Sequence, residues 1–223
     1  MSSSYALGSD DNELQRLKRQ HALWQSEMQQ SWAQAGFGSG QRLLDVGCGP
    51  GFASLELAQL VGASGQVLGI DNAPEFLEHL QQQRTALGLH QLNTLRHDLA
   101  SPLGHGGIEP GSWDGAWCRW VAMFVPQIEP MLDLMAAALK PGGMLVMHEY
   151  VQWDTFALYP NGSQLSRFVS RCIDHWRSLG GDPDVARRLP PLLEARGFRL
   201  LSSSSLMACS TSPHPKARWL DDF

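Results

Sequence analysis

Residues 42 to 51 read Arg42-Leu-Leu-Asp-Val-Gly-Cys-Gly-Pro-Gly51. A short apolar run ends in glycines at positions 47, 49 and 51, and the helix-like stretch Phe52 to Val61 follows. The order is strand, tight turn, helix. Glycine lets the backbone turn sharply and come close to a ligand with no Cβ in the way. The helix that begins near Phe52 aims its free N–H groups and positive dipole end at the same spot, which suits a carboxylate or phosphate. A dinucleotide fingerprint, G-x-G-x-x-G, would need glycine where Phe52 stands, so the spacing argues against a nicotinamide dinucleotide.

Outward from this turn the same alternation repeats. Gln66 to Asp71 is a second buried-type strand, Pro74 opens a helix that Gly88 can close, and Leu92 to Asp98 alternates as a third strand. A Gly/Pro-rich loop, Ser101 to Ser112, leads to a fourth strand at Trp113 to Arg119. Glu129 to Leu139 reads as helix, Pro141 to Gly143 as turn, and Met144 to Tyr150 as a fifth strand. Strands alternating with helices predict an α/β, Rossmann-like, doubly wound parallel sheet with helices on both faces and right-handed crossovers.

Before this core, Leu14, Leu17, His21, Trp24, Met28 and Trp32 recur at steps of three and four, which predicts one long covering helix from Asp11 to about Ala35. After it, Gln152 to about Pro183 breaks the alternation. One helix there carries Leu165, Phe168, Val169, Cys172, Ile173 and Trp176 on its apolar side, and is read as an insertion over the ligand edge of the sheet. Leu189 to Arg196 is a short helix ended by Gly197, and Phe198 to Ala208 is expected to be a last strand. The expectation is a single domain, with an N-terminal helical cover at 1–36, a ligand-binding core at 37–150, a lid or substrate insertion at 151–188 and a C-terminal helix and strand at 189–223.

The 223 residues carry 17 basic and 22 acidic side chains, a net charge of −5, with no basic run of the kind that grips a phosphate backbone. Nucleic acid is therefore not the expected partner. Cys48, Cys118, Cys172 and Cys209 lie far apart with no Cys/His cluster of metal-ligand spacing, so no metal is expected and the thiols are read as reduced, in a cytoplasmic protein. No stretch approaches the roughly 20 apolar residues of a membrane span, and the N-terminus lacks the basic and apolar regions of a signal peptide.

The acidic-apolar-Gly-x-Gly-x-Gly loop of Asp45 to Gly51 resembles that of class I S-adenosylmethionine-dependent methyltransferases. The resemblance continues through Gly69-Ile-Asp71, His97-Asp98-Leu99, Trp113-Asp114 and Leu139-Lys-Pro-Gly-Gly-Met-Leu145, in the right order and over about half the chain. It implies S-adenosylmethionine as cofactor, with S-adenosylhomocysteine as product. It further implies that Asp71 accepts hydrogen bonds from both ribose hydroxyls with Asn72 beside them, and that Asp98 accepts from the adenine amine with the Leu99 backbone at the ring. The loop holding Gly47, Cys48, Gly49 and Gly51 then faces the methionine part, Asp45 shapes that loop or receives the ammonium group, and Cys118 and Arg119 lie near the methionine tail. Tyr5 and the helix after it resemble a segment that closes over the cofactor in some small-molecule members. The family's sheet has seven strands; the seventh is here either irregular or missing.

Methyl transfer from a sulfonium is an in-line displacement in which positioning is the enzyme's main contribution. Where the acceptor atom, O, N or C, needs a base, His148 and Glu149 at the end of the fifth strand are the candidates. Trp117, Trp120, Met123, Phe124, Trp153, Phe156 and Tyr159 are expected around the acceptor mouth, which favours a small, partly apolar acceptor. Two other functions compete: a catalytically silent S-adenosylmethionine-binding module acting through a protein partner, and a nucleotide-dependent oxidoreductase, which Phe52 disfavours.

Overall fold

A computed structural model of the chain describes residues 11–104, 107–157, 159, 162–209, 211, 214 and 216. Five strands, β1 (Arg42–Val46), β2 (Gln66–Asp71), β3 (Leu92–Arg96), β4 (Trp113–Arg119) and β5 (Leu139–His148), form one parallel sheet in the order β3-β2-β1-β4-β5. The chain runs outward from β1 to β3, then returns to the other side of β1 for β4. Strand order therefore reverses between β1 and β4, and the crevice outside their carboxyl ends is where such a sheet takes a ligand.

Side-chain alternation divides the helices between the two faces. Leu44, Val46, Leu68, Ile70, Ala116 and Cys118 point to one face, packed with α5 (Glu129–Ala138), α6 (Ser163–Ser178) and α7 (Leu189–Glu194). Leu43, Val67 and Trp117 point to the other, against α2 (Gln25–Gln34), α3 (Phe52–Val61) and α4 (Pro74–Ala86). The doubly wound reading of the sequence holds.

The structure departs from the sequence reading at three places. The long N-terminal helix is two, α1 (Asp11–Leu23) and α2, broken at Trp24, whose backbone has φ −117° and ψ 13°. No glycine or proline marks the break; there the Trp24 ring meets Trp120 edge-on at 6.1 Å. The expected turn at Pro141 to Gly143 lies within β5 as an irregularity, since Trp113 pairs with Leu139 but Gly115 with Met144. Finally, Phe198 to Ala208, expected as a last strand, forms none. Leu200 is 56% and Leu201 61% exposed, so neither parity buries a face. Among the described residues nothing pairs with the outer edge of β5, and without a seventh strand in that slot the run has no ladder to join. The one described lysine of the tail, Lys216, instead ion-pairs with Glu27 of α2.

Candidate active site

The turn after β1 is held by two hydrogen bonds to a single carbonyl: the N–H groups of Gly47 and Cys48 both donate to the Ile70 carbonyl of β2, at 2.8 and 2.9 Å. Two glycines in it are obligatory. Gly47 has φ +72°, and an added Cβ would lie 2.3 Å from Val121 Cγ2, so only glycine lets the β1 and β4 loops meet. Gly51, at φ +85°, caps α3, and a Cβ there would lie 2.2 Å from Leu80 Cδ1. Gly49 differs, because its added Cβ would meet no protein atom within 4 Å. It borders open space.

Around that space is a cavity of about 760 Å³. One half of its wall comes from Asp45, Gly47, Cys48, Gly49, Pro50, Phe52, Ala53, Asp71, Asn72, Phe76, His97, Asp98, Leu99 and Ala100. Asp71 closes β2. Its Oδ2 accepts from the Gly49 N–H at 2.8 Å and its Oδ1 from the Ala73 N–H at 3.0 Å, which leaves a lone pair on each oxygen for a ligand. Burial raises the Asp71 pKa against those backbone bonds. Asp45 is 2% exposed; burial pushes its carboxyl up to about 6, against the 2.5 Å hydrogen bond donated by Ser54 Oγ. Burial also drives the Cys48 thiol well above its ordinary value, so it stays protonated. Asp98 sits at the exposed rim, where its Oδ1 accepts from the Ala100 N–H at 3.0 Å.

The other half is aromatic and apolar: Trp117, Trp120, Val121, Phe124, Val125, Pro126, Tyr150, His175, Trp176, Leu179 and Gly181. Trp120 stacks on Tyr150 at 5.7 Å and 16°, Tyr150 meets Trp153 at 5.4 Å, and Trp153 meets Trp176 at 4.3 Å. Trp120 holds φ +56°, a backbone conformation that costs a bulky L residue energy and is retained here by the rings around it. The segment after α6 is tied to the β4 loop by the Asp182 N–H, which donates to the Met123 carbonyl at 2.9 Å. Helix α1 supplies the remaining wall with Arg16, Leu17, Gln20 and His21.

A family model described as a methyltransferase domain matches residues 37–189. The chain belongs to the methyltransferase domain family. Demethylmenaquinone methyltransferase of Desulfitobacterium hafniense (strain Y51) is 33% identical over 107 residues, 48% of this chain and 41% of the relative. Aklanonic acid methyltransferase of Streptomyces sp. (strain C5) is 32% identical over 107 residues, 48% of this chain and 47% of the relative. The chain thus spans about half or less of the length of these curated relatives. Among solved structures, a phosphoethanolamine-type N-methyltransferase of Haemonchus contortus, crystallised with phosphomonomethylethanolamine and S-adenosylhomocysteine, aligns with TM-score 0.57 and 19% identity over 76% of this chain and 37% of that one. This likeness shows the fold.

Of the methyltransferase site residues expected from sequence, Asp45, Gly47, Cys48, Gly49, Asp71, Asn72, Asp98, Leu99 and Arg119 come together on the cavity wall. Gly51 is just behind it, and Tyr5 lies outside the described residues. Cys118 is fully buried on the opposite face of β4 from Arg119, with Sγ 3.6 Å from Glu149 Oε1, because alternation sends neighbours to opposite sides. Neither proposed base is on the wall. His148 shares the parity of Met144 and Val146 and points into the helix layer, where its Nε2 is 2.8 Å from Ser31 Oγ and its ring 4.7 Å from Trp117. Burial lowers its pKa to about 4. Glu149 turns inward, and its Oε1 accepts from the N–H groups of Val121 at 3.0 Å and Ala122 at 2.9 Å. Burial pushes its carboxyl up to about 7. It holds the β4 loop.

Of the aromatic and apolar residues expected at the mouth, Trp117, Trp120 and Phe124 line it, whereas Met123 and Trp153 are core, Phe156 lines a separate surface depression, and Tyr159 is 100% exposed. The sequence does not single out Tyr150 for the site, and His175 and Trp176 read there as lid packing; the helix after Tyr5, expected to close over the cofactor, does reach the wall through Arg16, Leu17, Gln20 and His21. His21 in particular reads as one more member of the α1 stripe, and only the three-dimensional meeting with Glu56 and Arg119 reveals its role.

Proposed function

We propose that this chain is an S-adenosylmethionine-dependent methyltransferase that moves a methyl group to a small, partly apolar molecule by in-line displacement. The observation that carries this reading is Asp71: a carboxylate at the end of β2, bonded to the N–H of the glycine loop, with a free lone pair on each oxygen at the cavity wall. Two vicinal hydroxyls fit that arrangement. Asp45 would receive the ammonium group of the cofactor, which would hold its carboxyl charged, and Gly49 leaves room where a side chain would intrude. Asp98 would accept from the adenine amine, with Leu99 beside the ring.

The cofactor supplies an electrophilic methyl group on a sulfonium. The chain's part is to exclude water with the aromatic half of the wall and to hold the acceptor in line with the methyl carbon. With His148 and Glu149 both turned away, the reading assigns no protein base. The aromatic half supports a small apolar acceptor, and the acceptors printed in the names of the two relatives, demethylmenaquinone and aklanonic acid, agree with that class. A silent cofactor-binding module remains the rival.

The test is a titration with S-adenosylhomocysteine, expected to saturate at micromolar concentration and to raise Tm, followed by a screen of small aromatic and apolar acceptors with labelled donor. Failure of S-adenosylhomocysteine to bind refutes the cofactor assignment. Tight binding with no labelled product, and a fixed partner chain on co-purification, favours the silent module.

A further inference from the structure

Arg119 closes β4 at the boundary between the two halves of the cavity. Its Nη2 is 2.9 Å from His21 Nδ1. A guanidinium only donates, so Nδ1 accepts and the ring proton is on Nε2, which donates to Glu56 Oε1 at 2.6 Å. Glu56 is in turn held by Gln25 Nε2 and Gln29 Nε2, each at 2.7 Å. Burial alone would raise its pKa, but the bonds from His21, Gln29 and Gln25 outweigh it and keep the carboxylate charged. This strut of three helices fixes the orientation of the arginine fork.

The fork itself is incomplete. Nη1 is buried and has no hydrogen-bond partner, and no carboxylate forms an ion pair with Arg119 among the described residues. Burial lowers its pKa to about 10, which leaves it charged at neutral pH. The carboxylates that act on its charge, Asp45 first and then Glu56, partly offset its desolvation but lie beyond ion-pair distance, so its direct partner is a histidine nitrogen and no anion among the described residues touches the fork. The guanidinium lies 5.0 Å from the Trp120 ring centroid and 5.9 Å from that of Trp117, on the aromatic side of the cavity.

We infer that the acceptor is a planar aromatic molecule bearing an anionic oxygen, carboxylate or phenolate, and that Arg119, braced by His21 and Glu56, holds that oxygen while Trp120 and Phe124 receive the ring. The inference rests on the methyl-transfer reading of the cavity and adds the charge of its acceptor. An ionised oxygen binds the fork by charge-assisted hydrogen bonds, whereas the matching neutral amide brings no charge to offset the guanidinium.

The experiment is isothermal titration of the full chain, with and without saturating S-adenosylhomocysteine, using benzoate and naphthoate as anionic probes and benzamide and naphthamide as their neutral counterparts. Wild type is expected to prefer the better-fitting anion over its amide by about tenfold or more. Arg119→Met should remove that preference while leaving affinity for the amide unchanged, and Arg119→Lys should restore part of it. No anion preference in wild type overturns the inference, and this comparison needs no variant to fold. Loss of S-adenosylhomocysteine affinity in Arg119→Met with the anion preference intact also overturns it, since the arginine then serves the cofactor's own carboxylate. If S-adenosylhomocysteine fails to bind wild type, the cofactor reading falls, and the probe titrations without it still decide the case for Arg119.

Discussion

On the β1–β2 side of the crevice, the wall is made by backbone. The Gly47 and Cys48 amides bond to Ile70, the Gly49 amide to Asp71, and the Gly51 carbonyl to the Leu55 amide, all between residues near two strand ends. On the β4–β5 side the wall is made by rings and by one carboxyl: Trp120 on Tyr150, Tyr150 on Trp153, Trp153 on Trp176, and Glu149 under Val121 and Ala122. A backbone wall demands particular residues at particular positions, because glycine alone tolerates the required φ and close contacts. An aromatic wall can be assembled from many sequences, which suits the half that we propose receives the acceptor. The contrast predicts that damage to the first half unfolds or empties the cofactor site, whereas damage to the second changes pH response and acceptor choice.

The severest break should come at Gly51. An alanine at φ +85° adds left-handed strain of about 1–2 kcal/mol, and the overlap with Leu80 adds about 1–3 kcal/mol more, so Gly51→Ala should lower unfolding free energy by about 2–5 kcal/mol. Urea denaturation measures this. A loss below 1 kcal/mol would mean that the turn relaxes easily and that the backbone half is not rigid.

Glu149 probes the other half through pH. Its carboxyl is raised from an ordinary value of 4.5 to about 7. Between those values the folded protein holds a proton that the unfolded chain has released, so this group's contribution is greatest below pH 4.5 and is lost as pH rises to about 7. At about 1.4 kcal/mol per pH unit, the loss is about 3 kcal/mol. Glu149→Gln keeps an oxygen for Val121 and Ala122 but cannot ionise. The stability of wild type relative to this variant should fall by about that amount from pH 4.5 to 7. Asp45 and His148 also titrate in this range, and the wild-type-minus-variant difference cancels them. A flat difference would mean that Glu149 ionises at the same pH in the folded and unfolded chain, and refutes the raised carboxyl.

Asp71→Ala sharpens the comparison on the cofactor side. Losing charge-assisted bonds to ribose should weaken S-adenosylhomocysteine by about 1.5–3 kcal/mol, read by titration, with acceptor probes little affected. Unchanged affinity would sink the ribose assignment.

The same contrast explains which parts of the molecule were legible in the sequence. The turn chemistry of Asp45 to Gly51 is local, and so is the strand-helix alternation; both are written in residue types within a few positions, and the β1-to-β4 order followed. Arg119 was placed near the cavity by the family resemblance together with its position at the end of the fourth strand. The His21–Glu56–Arg119 strut was not legible, since Glu56 and Arg119 are 35 and 98 positions from His21, and His21 and Glu56 read as ordinary stripe and surface residues. The break at Trp24 is likewise a tertiary effect without a local signal. Phe198 to Ala208 was expected as a last strand, but a strand is completed by its neighbour, and no single-sequence pattern reports whether that neighbour exists.

His148 shows a different failure, one that a signal in the sequence could have prevented. Met144 and Val146 face α2, and parity carries His148 to the same side, whereas position alone, at the carboxyl end of β5, suggested a base. Its partner there is Ser31 Oγ, and the same hydroxyl also donates to the Glu27 carbonyl at 2.9 Å. Ser31's one proton therefore serves that carbonyl, and the His148 ring proton lies on Nε2 and is donated to the hydroxyl oxygen. Ser31→Ala deletes a neutral hydrogen bond and should cost about 1 kcal/mol of stability, the smallest effect in the series, with S-adenosylhomocysteine affinity and methyl transfer unchanged. Were transfer to fall by an order of magnitude in this variant while cofactor affinity held, His148 would have to reach the acceptor in some other arrangement of α2, and the separation of the cavity wall from the helix layer behind it would be lost.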